Sequence, residues 1–214
     1  EVGGRALMRV LLSLLVAAMT AGCATPSAID PASTRPYAFV VLGEEGRPVA
    51  RVIIAAATCP EIELDGVGVT MSVRARPATI PVRPTRSIPA ESKPSAFPVL
   101  VCDTLLPLST RRAVVAGRAL PLPKASPQRI VVVGDTGCRI KAADRAFQAC
   151  NDAAQWPFAT VARAAADVHP DLVIHVGDYH YRENPCPDRN SGGVGSPWGY
   201  SWNAWHADLF APAE

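Results

Sequence analysis

The sequence predicts two structured parts in tandem. Residues 37–123 read as an N-terminal all-β, sandwich-like domain, and residues 124–214 read as the first β-α-β part of an α/β layered domain, incomplete as it stands. Three observations carry this. Short β-branched runs broken by prolines fill the first part. After Pro121-Leu122-Pro123-Lys124 the pattern changes to two fully apolar runs flanking one helical stretch. Both of those runs end in Gly-Asp.

The elements follow in order. Residues 1–23 read as an export signal. The first residue is Glu1, and Met8-Arg9 supplies a start and a short basic region. Residues 10–19 are almost unbroken apolar sequence, which is signal-peptide length and too short to span a bilayer. Thr20-Ala21-Gly22-Cys23 resembles a bacterial lipoprotein signal, in which the cysteine becomes the lipidated first residue and Thr20 stands where Leu is usual. The alternative is a plain secretory signal cleaved nearby. Residues 24–36, rich in Pro, Ser and Thr, read as a linker. Either signal exports the protein, to a bacterial periplasm, to the outer membrane as a lipoprotein tethered through Cys23, or to the extracellular space.

Export makes the cysteines informative. Apart from Cys23, the chain has Cys59, Cys102, Cys138, Cys150 and Cys186, and in an oxidising compartment these are disulfide candidates. Cys59–Cys102 would close the first domain, and Cys138–Cys150 would staple the loop after the first Gly-Asp. The odd number leaves at least one partner missing, unused or beyond the end of the chain. No CxxC or Cys/His spacing suggests zinc.

Within the first part, strands are expected over 38–42, 51–57, 67–74, 97–102 and 112–115. Prolines at 77, 81, 84, 89, 94 and 98 demote the middle to loops and edges. The segment contains no His and its carboxylates are scattered, so it reads as structural or binding rather than catalytic. In the second part, residues 129–133 and 171–176 are expected as strands buried on both faces. Between them lies a polar, helix-tolerant stretch. Trp156-Pro157-Phe158 then opens a helix with Phe158, Val161, Ala162 and Ala165 on one face, and His169-Pro170 ends it. Residues after Tyr181 read as an aromatic-rich loop, with another helix beginning over 202–210. The net charge is only +2 and no Lys/Arg run is present, so nucleic acid is not an expected partner.

The chemistry sits in the two Gly-Asp motifs. Ligands bind at the carboxyl ends of strands in open α/β sheets. Asp135 and Asp178 both occupy that position, and neighbouring strands lie only ~4.8 Å apart. Two carboxylates so placed repel unless a cation lies between them. Tyr181 follows Asp178 by three residues, in the turn leaving the strand. A phenol has an ordinary pKa near ~10, so it ligates at neutral pH only to a strongly Lewis-acidic metal, which points to Fe(III). A helix-capping Asp135 and a packing Tyr181 are the structural alternatives.

Gly134-Asp135-Thr136-Gly137 and Gly177-Asp178-Tyr179-His180-Tyr181 resemble the first two motifs, GDxG and GDxxY, of the calcineurin-like metallophosphoesterase superfamily in its purple acid phosphatase branch. More distant calcineurin-like enzymes carry a His where Gly137 stands. The resemblance implies an exported enzyme that hydrolyses phosphate esters at a dinuclear centre of Fe(III) with a divalent ion (Zn, Fe or Mn). It implies that Asp135 ligates the ferric ion, Asp178 bridges both metals and Tyr181 is the tyrosinate ligand. It also implies that residues 124–214 are the N-terminal part of the catalytic domain, because the family's Asn-His-Glu and later His motifs are missing from the sequence. His180, between the bridging Asp and the tyrosine, is the catalytic candidate, reaching either the substrate phosphate or a ligand. His175 reads as a satisfied core residue, His206 as surface-exposed or a surrogate ligand, and Cys138 as a disulfide partner. The reading from another class is a non-catalytic, lipid-anchored binding protein or an inactive fold remnant.

Overall fold

The computed structural model describes residues 35–83 and 88–214. The export signal, Cys23 and nearly all of the linker lie outside the described residues. The first part is a set of short strands. In chain order they are β1 (Tyr37–Leu42), β2 (Pro48–Ile54), β3 (Glu61–Leu64), β4 (Val67–Thr70), β5 (Ser72–Ala75), β6 (Ala78–Ile80), β7 (Ser95–Phe97), β8 (Leu100–Leu105), β9 (Ala113–Val115) and β10 (Arg118–Ala119). Two four-stranded sheets result, ordered β1-β2-β8-β5 and β10-β9-β3-β4, and every pairing in them is antiparallel.

One core serves both sheets. Val52 of β2, Leu100 and Cys102 of β8, Ile62 of β3 and Val115 of β9 are all fully buried in it. Burying each such aliphatic side chain contributes ~1.5–3 kcal/mol, so this shared interior is what holds the sheets face to face. The alternating run over 67–74, expected as one strand, is two. It breaks at Met71, whose side chain drops into the core while β4 pairs in one sheet and β5 in the other. The Cys59–Cys102 disulfide forms as expected and ties the loop entering β3 to β8.

The second part contains β11 (Ile130–Val133), β12 (Ile140–Lys141), β13 (Ala146–Phe147), helix α1 (Phe158–Asp167), β14 (Leu172–His175) and a short helix α2 (Trp202–Trp205), which continues as a wider turn over His206–Phe210. β11 and β14 pair in parallel, with Ile130 opposite Leu172 and Val133 opposite His175. This is the expected β-α-β order. Its burial is not as expected. The sequence predicts strands buried on both faces, yet Val132 is 59% exposed and Val176 at the end of the second run is 70% exposed. The sheet has two strands, and among the described residues nothing covers these side chains. On α1, Phe158 is buried while Val161 is exposed. The polar stretch before α1 is helical only in one short 3-10 turn, Ala142–Asp144. It folds back as the β12–β13 pair around Arg145, which takes a left-handed φ of 54°. The Cys138–Cys150 disulfide staples it, also as expected.

The two parts touch through aromatic packing. Tyr37, Ile53 and Val99 of the first part enclose Trp202, with Phe210 against them. The Tyr37 hydroxyl and His206 Nε2 lie 2.7 Å apart, so His206 is engaged there rather than free on the surface. Ala96 N donates to Ser201 Oγ (3.1 Å), and the Lys93 ammonium sits 3.5 Å above the Trp198 ring. Among the described residues no helix is long and apolar enough to cross a membrane.

Candidate metal centre

The site begins with backbone geometry. The chain must turn sharply as it leaves each parallel strand, and it does so at the two aspartates. Asp135 has φ 53° and Asp178 has φ 59°, both left-handed. That region costs a side-chain-bearing residue ~1–2 kcal/mol, and Asp tolerates it better than most because its short carboxylate bonds locally. The two turns are laced to each other. Asp135 N donates to Gly177 O (3.1 Å), and Thr136 N and Gly137 N both donate to Asp178 O (3.1 and 3.2 Å). Gly137 is where the turns press together. A Cβ there would stand 2.8 Å from His180 N and 2.9 Å from His180 Cα, closer than real Cβ contacts come.

This lacing gathers the three residues singled out as ligands. The carboxylates of both Asp178 and Asp135 lie close enough to the Tyr181 phenol to act on its ionisation. Desolvation first, and then the two neighbouring carboxylates, push its pKa up to about 12. The phenol is therefore protonated at neutral pH, beside two carboxylates. Asp135 is 66% exposed, so the trio opens to solvent. Three hard oxygen donors, two of them anionic and the third able to become so, suit a trivalent iron better than a soft or weakly acidic metal. By the chemistry of its donors the set fits Fe(III). Among the described residues no group of three or more His, Cys, Asp or Glu side chains is placed to hold a metal, at this site or elsewhere.

The surroundings fix the turn that carries Asp135. Thr136 Oγ1 lies 2.8 Å from His175 Nε2, and Trp156 Nε1 donates to Thr136 O (2.9 Å). The other ring nitrogen of His175 accepts from Gly177 N (3.2 Å). His175 is therefore satisfied at both nitrogens, and it ties the residue after the first Asp to the residue before the second. Burial lowers its pKa. Beneath the first turn, Asp208 Oδ1 accepts from Cys138 N (3.2 Å) and pairs with Arg182 Nε, in a fully buried salt bridge.

His180 is placed differently from a group reaching into the solvent-facing side. Its ring packs between Tyr200 and Trp205, with centroids 5.1 and 5.3 Å away. Neither ring nitrogen has a hydrogen-bond partner of sound geometry. Burial, and after it the nearby Arg182 charge, bring its pKa down to about 4, so the imidazole is neutral at pH 7.

One residue near the trio escaped sequence reasoning. The Arg139 guanidinium stands 3.5 Å from Asp135 Oδ1 and 4.4 Å over the Tyr181 ring. No motif spacing marks it, because it reaches the site only through the β12–β13 fold that the sequence did not disclose. No protein-family model, no curated protein and no solved structure matches this chain.

Proposed function

We propose that this chain carries the ferric half of a dinuclear metal centre in an exported phosphoesterase. One observation carries the reading: the Tyr181 phenol lies beside both Asp135 and Asp178, the two aspartates that follow the paired parallel strands, and both act on its ionisation. A tyrosine that merely packed would bury its ring and face water with its hydroxyl. Here two carboxylates lie near it and raise its pKa.

Asp135, Asp178 and Tyr181 would hold the iron, with Asp178 shared with a second, divalent ion (Zn, Fe or Mn). When bound, such a pair lowers the pKa of a water and neutralises phosphoryl oxygens. The chain's own residues prepare for this. The left-handed turns that carry the two aspartates are bonded to each other, the Thr136–His175 contact braces them, and Tyr181 would give up its phenol proton on binding the metal. The resemblance assigns the second ion's remaining ligands to Asn-His-Glu and late His motifs, which these 214 residues do not contain. The substrate class is a phosphate ester. Two disulfides are compatible with export.

The test is spectroscopic. Loaded with Fe(III), the chain should show a visible tyrosinate-to-iron charge-transfer band, and Tyr181→Phe should lose it. A colourless wild-type protein that binds iron as tightly as Tyr181→Phe would overturn the assignment.

A further inference from the structure

We infer that Arg139 is a phosphate-binding residue of this centre, gripping the phosphoryl oxygens of a phosphate ester held beside Asp135. The inference rests on the metal-centre reading and adds a substrate contact to it.

Placement comes first. The Arg139 backbone is clamped on both sides: its N donates to Gln148 Oε1 (2.6 Å), and its O accepts from Gln148 N (2.8 Å). The next residue back is Cys138, locked to Cys150. A staple and a two-way clamp thus fix the Cα of a residue whose side chain is 36% exposed. The guanidinium is steered too, lying over the face of Tyr181 at 4.4 Å, where a cation–π contact orients its plane.

Charge comes second. The nearby cations differ in how they are spent. Arg182 is fully buried against Asp208, and Lys141 faces Asp144 and Glu183 at 3.5 and 3.7 Å. Of the proposed metal ligands Lys141 reaches only the Tyr181 ring, at a more distant 5.8 Å, and Arg139 alone among these three cations forms an ion pair with one, Asp135. That pair is loose: 3.5 Å is well beyond the ~2.7–2.9 Å of a charge-assisted hydrogen bond. A metal ion at Asp135 takes over neutralisation of that carboxylate. The guanidinium's donors then face the opening with no carboxylate of their own. A planar fork of N–H donors matches two oxygens of one phosphoryl group, which a single ammonium would not.

The experiment measures two affinities on the full chain, for Fe(III) and, on the Fe(III)-loaded protein, for inorganic phosphate by calorimetry. Arg139→Gln should bind iron as the wild type does and phosphate roughly 10-fold or more weakly. Arg139→Lys should fall between, and Lys141→Gln should stay near wild type. Equal phosphate affinity in Arg139→Gln and wild type would overturn the inference. So would an equal loss in Lys141→Gln, which would mean only net charge matters, or a loss of iron by Arg139→Gln, which would make the residue structural. If the wild type itself takes up no iron, the metal-centre reading fails and the inference falls with it.

Discussion

Gly137 shows how much a single missing methyl decides. Its Cα faces the backbone of His180 and Tyr179, and an added Cβ would sit 2.8 Å from His180 N and 3.0 Å from the Tyr179 carbonyl carbon. Backbone cannot rotate away as a flexible side chain can. The two turns would have to part, and with them the bonds from Thr136 N and Gly137 N to Asp178 O. We expect Gly137→Ala to cost ~1–3 kcal/mol of stability, the usual range for overpacking. It should also weaken ferric binding, because the bonded turns that carry Asp135 and Asp178 would be pushed apart. Urea unfolding and iron titration check both; a stable variant that binds iron normally would show that the close approach is dispensable. The glycine was visible in the sequence as the end of GDxG. Its reason was not, since the sequence cannot show which backbone it presses against. The same holds at His180. Its place between Asp178 and Tyr181 suggested a catalytic histidine, whereas the ring's enclosure by Tyr200 and Trp205 depends on residues some twenty positions later.

At the scale of elements, what was legible followed from local pattern. β11, α1 and β14 could be read because two β-branched runs and a Pro-led helix start are local signals. β3 was missed, though Asp65-Gly66 announced it. Both residues have positive φ (50° and 88°), the two-residue hairpin turn that Asp-Gly favours, and the turn pairs β3 with β4. The break at Met71 could not be read, because period-two alternation continues through it and only the switch between sheets reveals it. β12 and β13 were missed for a different reason. Their pairing is too short to leave a pattern and is held by a covalent bond instead. The Cys138–Cys150 loop closes 12 residues, so removing the bond should cost about 3 kcal/mol by loop-closure entropy. Because the staple also carries Arg139, the Cys138→Ala/Cys150→Ala double variant should lose phosphate affinity as well as stability. Removing Cys59–Cys102, which spans 43 residues, should cost about 4 kcal/mol. That loss should leave phosphate affinity on the remaining folded protein unchanged. If both double variants affect phosphate alike, the first disulfide's tie to the site is refuted.

At the scale of the molecule, one carboxylate joins the connecting segment to the parallel sheet. Asp171, at the entry to β14, accepts from Gln128 N (2.8 Å) and Arg129 N (3.0 Å) and pairs with Lys124 Nζ (2.6 Å). These contacts, the Lys124 bond first, hold its carboxyl down to about 2. The sheet they anchor exposes much of its apolar surface, so fewer packing contacts share the burden of holding it in register. A carboxylate whose pKa is depressed on folding adds stability above its unfolded value, near ~3.9, and gives it up as pH falls toward 2. Asp171→Asn keeps the shape but not the charge. At pH 7 the variant should therefore unfold at lower urea than wild type, and that gap should narrow below pH 4 and close near pH 2. Other carboxylates titrating in the same range act equally in both proteins and cancel in the comparison. A gap that persists undiminished at pH 2.5 would mean the Asp171 charge does not hold the connecting segment to the sheet, and that its shape alone suffices.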